Sequence, residues 1–192
     1  MRIMVIPEDP VNDQYVLRPL ISLIAEEAGI VNPRVAVLEN PRMQSVTQAL
    51  DPQTLASIAS RYKARYDVFV LAVDADCDPN RQAAVDDRAE ELAAAGVALV
   101  GRVAIQEVEV WALAPFAGEL RKTFKWQWEA IRAECDPKEV YFAPFIRAKG
   151  WGAMLGRGRH EAMKHLTRRS LKQVLTRCAE LAQLRDDLAS HV

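Results

Sequence analysis

Cysteine is scarce in this chain: Cys77, Cys135 and Cys178 stand far apart, odd in number and without a C-x-x-C pair. Neither a disulfide framework nor a zinc site follows from that spacing, and a reducing cytoplasm is the expected setting. His160, His165 and His191 all fall in the C-terminal stretch, where each reads as a surface or packing residue. No Ser-His-Asp or Cys-His arrangement can therefore be drawn, which removes the triad hydrolases. No apolar run approaches the roughly 18 residues that a spanning helix needs, so no membrane partner is expected. The opening Met1-Arg2-Ile3-Met4-Val5-Ile6-Pro7-Glu8 turns acidic too early for a signal peptide and reads as a first strand. Repeats and low-complexity tracts are absent as well.

What remains is ordinary in bulk and uneven in detail. Half of the 192 residues are hydrophobic, ample for one domain with a helical appendage. The net charge of −1 hides an asymmetry. Residues 1–120 hold 10 Lys+Arg against 18 Asp+Glu, a balance of −8. Residues 121–177 hold 14 against 5, a balance of +9. An acidic half that attracts cations thus precedes a basic stretch that attracts polyanions, although two solvated helix faces would carry the same charges.

Strand and helix patterns alternate over residues 2–104. Arg2–Ile6, Arg34–Leu38, Asp67–Val73 and Val97–Ala104 read as strands. Between them lie a helix capped by Asn12 or Asp13 and ended by Gly29, a helix opened by Asp51-Pro52, and a helix over Pro79–Ala95 with Asp78 as its cap. This order predicts a mainly parallel four-stranded sheet flanked by helices. Beyond residue 105 only helical patterns follow: Ile105–Ala114, Phe124–Glu134, Asp136 to Lys149 and a closing amphipathic helix from Ser170 to Leu188. Trp111, Trp126, Trp128 and Trp151 read as core or interface anchors.

The most informative segment is Tyr66-Asp67-Val68-Phe69-Val70-Leu71-Ala72-Val73-Asp74-Ala75-Asp76, a buried strand that runs out into two carboxylates. If extended geometry persists, Asp74 and Asp76 point to one side. Open parallel sheets carry their sites at the carboxyl ends of strands, and paired acids there call for a hard divalent cation with oxygen ligands. The first strand also ends in acid, at Glu8-Asp9, and the fourth leads into Gln106-Glu107-Val108-Glu109. Glu109 joins the candidate metal ligands. Glu107 has the plainer alternative of a first-turn helix acid.

A glutamate after the first strand, a helix, and D-x-D after the third strand resemble the Toprim domain of primases, topoisomerases and overcoming-lysogenization-defect nucleases. Glu107-Val108-Glu109-Val110-Trp111-Ala112-Leu113-Ala114 is similar to the E-x-W-L-L-A element of small Toprim-like proteins of bacterial defence loci. The resemblance covers residues 1–115, leaving 116–192 as a basic helical region packed on or beside that domain. It implies a nuclease in which Asp74 and Asp76 hold Mg²⁺ (or Mn²⁺) and Glu8 serves as acid/base or further ligand. It also implies an ATPase partner, and it leaves homo-oligomer formation open. Toprim glutamates are usually followed by Gly and, four positions on, by Asp; here Asp9 follows, Asn12 stands at that position and Asp13 one later. Either one residue has been inserted or part of the motif is lost.

Nucleic acid, DNA first, would meet Arg157, Arg159, Lys164, Arg168 and Arg169 around the Gly-Arg-Gly-Arg segment, where glycines let backbone and guanidinium groups approach phosphates. A flexible solvated loop is the alternative. Two further readings stand beside the nuclease: an interaction subunit with a degenerate site, and a haloacid-dehalogenase-like phosphatase. The latter normally carries D-x-D after its first strand, followed by a small hydroxyl residue, whereas this chain continues Cys77-Asp78-Pro79.

Overall fold

The computed structural model describes residues 1–192. Its centre is a four-stranded, wholly parallel sheet of β1 (Arg2–Pro7), β2 (Arg34–Val37), β3 (Val68–Asp74) and β4 (Leu99–Ala104), in the order β2-β1-β3-β4. Flanking the first three strands are α1 (Gln14–Glu27), the short α2 (Val46–Ala49) and α3 (Pro52–Tyr62). Then come α4 (Arg81–Ala94), α5 (Val108–Leu113) and α6 (Ala117–Glu119), followed by α7 (Trp128–Ala133), α8 (Ala143–Ala148), α9 (Arg159–Met163), α10 (Arg168–Arg177) and α11 (Ala179–Ala189). No helix is long and apolar enough to cross a membrane.

Strand alternation divides the interior into two cores. Ile3, Val5, Val68, Val70, Ala72 and Val100 face one side, against α1, α5 and the C-terminal helices. Met4, Ile6, Phe69, Leu71, Val73 and Leu99 face the other, against α3 and α4. Burial on both faces explains why β3 is an almost unbroken apolar run. At Gly101 of β4 a side chain would collide with Val85, so α4 lies directly on the strand.

The helical region after residue 115 packs on the sheet rather than beside it. Phe116, Phe145, Leu171, Val174, Leu181 and Leu188 share the larger core with β1 and β3. Trp111 is fully buried, and its indole N–H donates to Glu180 at 3.0 Å. Arg132 grips the same carboxylate with two hydrogen bonds of 3.0 and 3.1 Å, tying α5, α7 and α11 together. Trp151 stacks on His165 with ring centroids 5.4 Å apart, and Trp126 packs on Phe124 and Tyr141, so these rings serve as anchors.

Several local expectations change. The closing helix is two helices, because Cys178 leaves helical geometry at φ −119°, ψ 85°. Thr167 and Ser170 form a reciprocal cap at the start of α10. Asp51 caps α3, accepting from the Thr54 amide at 2.7 Å. Asp78 instead accepts from the Asn80 amide, and α4 starts at Arg81. Cys77 and Cys135 form a disulfide, with Cα atoms 5.5 Å apart across 58 residues of sequence. The spacing concealed this pairing because only tertiary structure brings the end of β3 beside the segment after α7.

Candidate metal centre

The strand order reverses direction between β1 and β3, since β2 lies outside one and β4 outside the other. Such a switch point opens a crevice at the carboxyl ends of the strands. Pro7 pairs with Ala72 and Asp74 with Ala104, so Glu8, Asp74 and the segment leading to α5 leave the sheet on one rim. Carboxylate oxygens of Asp74, Glu107 and Glu109 lie within 4.8 Å of one another, a trio able to hold a metal ion. Glu8 adjoins it, one of its carboxylate oxygens 3.5 Å from the Asp74 amide nitrogen.

Each member is held by a specific partner. Asp74 Oδ1 accepts from the Val108 amide at 2.8 Å, which fixes it against the first turn of α5. Glu107 Oε2 accepts from the Lys138 amide at 2.7 Å, so the residue is engaged across the molecule and does more than start a helix. Glu109 is buried and forms an ion pair with the equally buried Arg159.

Asp76 departs from the expected geometry. Extended backbone ends at Asp74, while Asp76 and Cys77 occupy the left-handed region at φ 48° and 56°. Alternation therefore cannot align Asp76 with Asp74. Its exposed carboxylate lies outside the trio, 3.9 Å from the Arg81 guanidinium. The turn is strapped in place: Gln106 accepts from the Asp76 amide through its carbonyl at 3.1 Å and from the Cys77 amide through Oε1 at 2.8 Å. The disulfide joins that turn to the segment carrying Lys138. Asp76 still acts on the site by charge, since it raises the Glu8 and Glu107 carboxyls.

Asp13, read from sequence as a helix cap or as the acid of a motif shifted by one residue, was not among the candidate ligands. It occupies the cap position of α1 but caps nothing, and only 6 % of it is exposed. Burial and then the charge of Glu109 push its carboxyl up to about 7, with Arg159 opposing. Asp74 is held well above the ordinary range by burial, then by Asp13, Glu109 and Glu8. Burial pushes Glu107 up to about 7, against the pull of the Lys138 amide. Glu8 is raised by burial and Asp76. The signal for Asp13 lay in its apolar setting: the cap assignment left a carboxylate between Pro10 and the buried Val16-Leu17 pair.

The basic residues scatter. Arg159 is 3 % exposed, pinned to Glu109 and hydrogen-bonded to the Gly156 carbonyl at 3.0 Å, so it belongs to no exposed patch and opens only on the concavity it lines. Lys164 pairs with Glu161 at 2.7 Å and Arg168 with Glu26 at 2.9 Å. Arg169 is exposed, and Arg157 lines a concavity beside Arg159. The Gly-Arg segment is a defined turn: Gly156, Arg157 and Gly158 all have positive φ, and side chains at the two glycines would strike Tyr15 and Ile146.

No protein-family model, no curated protein and no solved structure matches this chain.

Proposed function

We propose that this chain is a Mg²⁺-dependent (or Mn²⁺-dependent) Toprim-like nuclease that hydrolyses phosphodiester bonds of nucleic acid, with DNA as the first candidate. The observation that carries the reading is the convergence of Asp74, Glu107 and Glu109 within 4.8 Å at the switch point, with Glu8 beside them. Carboxylates crowded this closely repel one another unless protons or a cation intervene, and hard oxygen donors suit Mg²⁺. The resemblance of the D-x-D and E-x-W elements supports the same conclusion. On it, Asp13 stands for the family's second acid, displaced by one residue and still delivered to the cluster.

A divalent ion, held by the trio, would supply positive charge for the non-bridging phosphate oxygens and lower the pKa of water. The chain's own residues supply the rest. Asp74, Glu107 and Glu109 would hold the ion in place. Glu8, with its raised carboxyl, takes the proton of the attacking water. Arg81 lies by Asp76, balancing charge on the open side of the crevice. The reading includes an ATPase partner that licenses cleavage in bacterial antiviral defence. The cytoplasmic setting expected from the sparse cysteines stands against the Cys77–Cys135 disulfide, a bond that reducing thiol buffers would open.

The test is Mn²⁺ titration with Asp74→Asn and Glu107→Gln, followed by cleavage assays on protein co-expressed with its partner. Wild type binds Mn²⁺ and cleaves; both variants lose binding, and Asp74→Asn loses cleavage at least a hundredfold. Cleavage by Asp74→Asn at the wild-type rate sinks the reading. One observation favours a second reading, the interaction subunit: Arg159 already neutralises Glu109 from within. A folded wild type that takes up no Mn²⁺ would leave that alternative standing.

A further inference from the structure

The basic stretch contains a concavity distinct from the carboxylate trio. It has a volume of about 600 Å³ and is lined by Lys138, Arg147, Arg157 and Arg159, with Phe142 as an apolar wall and Glu139 as the single acid. Size and lining suit a small anionic group held by a few convergent charges. We propose that this pocket is a phosphate-binding subsite, holding a phosphate of a nucleic-acid strand next to the one presented to Asp74, Glu107 and Glu109.

Four observations lead there. First, Lys138, Arg147 and Arg157 form no ion pair, whereas Lys149, Lys164 and Arg168 are each matched by a carboxylate. Charge left uncompensated in one concavity is what an anion needs. Second, Arg159 is almost fully buried, and although two of its nitrogens bond Glu109 and the Gly156 carbonyl, its Nε has no acceptor. A buried donor without a partner is costly, and a phosphate oxygen would satisfy it. Third, Arg157 sits at φ 53°, ψ 45° between two glycines of positive φ. A non-glycine residue is strained there, and such strain concentrates at ligand-holding positions. Fourth, pocket and trio share their walls. The Lys138 amide donates to Glu107, and Arg159 is bonded to Glu109. A strand lying across both would put one phosphate at the acids and its neighbour among the bases. Arg159 then works as a positioning residue, holding Glu109 on one side and meeting phosphate on the other.

The identity of the ligand as a strand's phosphate rests on the nuclease reading, so the test separates the two. Binding of a short single-stranded DNA carrying a 3′ fluorescein is followed by anisotropy in EDTA, where cleavage and metal play no part. Lys138→Glu with Arg147→Glu should weaken binding at least tenfold. It should also lower the slope of log affinity against log salt by about 0.7 for each phosphate that the variant no longer neutralises. Should that pair unfold, as judged by circular dichroism, Lys138→Ala with Arg147→Ala replaces it, with a smaller effect in the same direction. Arg34→Glu, at the exposed first residue of edge strand β2, leaves binding within twofold. Competition by inorganic phosphate, and tighter binding of a 5′-phosphorylated strand than of its 5′-hydroxyl twin, would identify a terminal phosphate; equal binding of the two strands identifies an internal one. Unchanged affinity and salt slope in the folded pocket variants overturn the subsite and leave the metal reading intact. Weakened binding together with full cleavage by Asp74→Asn does the reverse.

Discussion

Around the ends of β1 and β3 and the start of α5, Glu8, Asp13, Asp74, Glu107 and Glu109 crowd together, with Arg159 buried among them; just after α9 and at the first residue of α10, Lys164 and Arg168 each meet a carboxylate at the surface. Both regions are charge-rich by composition, and they use charge differently. The surface pairs are solvated on their outer sides, so little depends on them. The rim is desolvated, so its repulsions raise carboxyls and its one internal cation has much to hold. Charge counts of −8 and +9 point to both regions alike. Only burial separates a site from a solvated face.

The comparison breaks first at Arg159. Replacing it with Met strands Glu109 beside Asp13 and Asp74, and urea unfolding should register a loss of about 3–5 kcal/mol. A loss no larger than that of a surface pair would mean that the rim is as well solvated as the Lys164–Glu161 pair.

The pH response comes next. Asp13 has its folded-state carboxyl near 7 against an ordinary 3.8 when unfolded. Between these values the folded chain binds the extra proton, so its stabilising effect is present at low pH and lost as pH rises toward 7. In the absence of metal, stability should fall across that window at up to about 1.4 kcal/mol per pH unit for one such group. Asp13→Asn should flatten the profile in denaturation curves taken from pH 4.5 to 7.5.

A metal ion at the trio would act on the same repulsion. Mn²⁺ at ten times its Kd should stabilise wild type by about 1.4 kcal/mol, and Glu107→Gln should abolish the gain in thermal melts. Arg157→Gly removes the left-handed penalty at some cost in chain entropy, for a net stabilisation of up to about 1 kcal/mol by urea unfolding. Smallest of all is Arg168→Ala: the Arg168 side chain is 78 % exposed, and breaking its pair with Glu26 should change stability by less than about 0.5 kcal/mol.

Much of the sheet was legible in the residue pattern. Near-continuous apolar runs such as Val68–Val73 arise because both faces of a parallel strand are buried, and the helices between them carry one apolar face each. The site was legible in part. Asp74, Glu8 and Glu109 stand at strand ends and helix starts that sequence pattern marks well. Asp76 misled because alternation holds only while the backbone stays extended, and here it turns left-handed two residues after the strand. Arg159 misled because an arginine following a Gly-Arg-Gly turn reads as exposed, whereas Gly158 packs against Ile146 and carries Arg159 inward.

Sequence by itself determined the parallel α/β sheet, the strand ends that bear acid and the helical nature of the basic region, since these depend on local periodicity and on how much apolar surface each element must bury. Tertiary structure decided which acids meet. Asp13 joins Asp74 and Glu109 because α1 and α5 cover one face of the sheet, and Cys77 finds Cys135 because the segment after α7 returns to the rim. It also decided that Arg159 is buried while Lys138, Arg147 and Arg157 stay unpaired around one pocket. Coulomb energy and desolvation depend on distance and burial in space, and neither is a property of spacing along the chain.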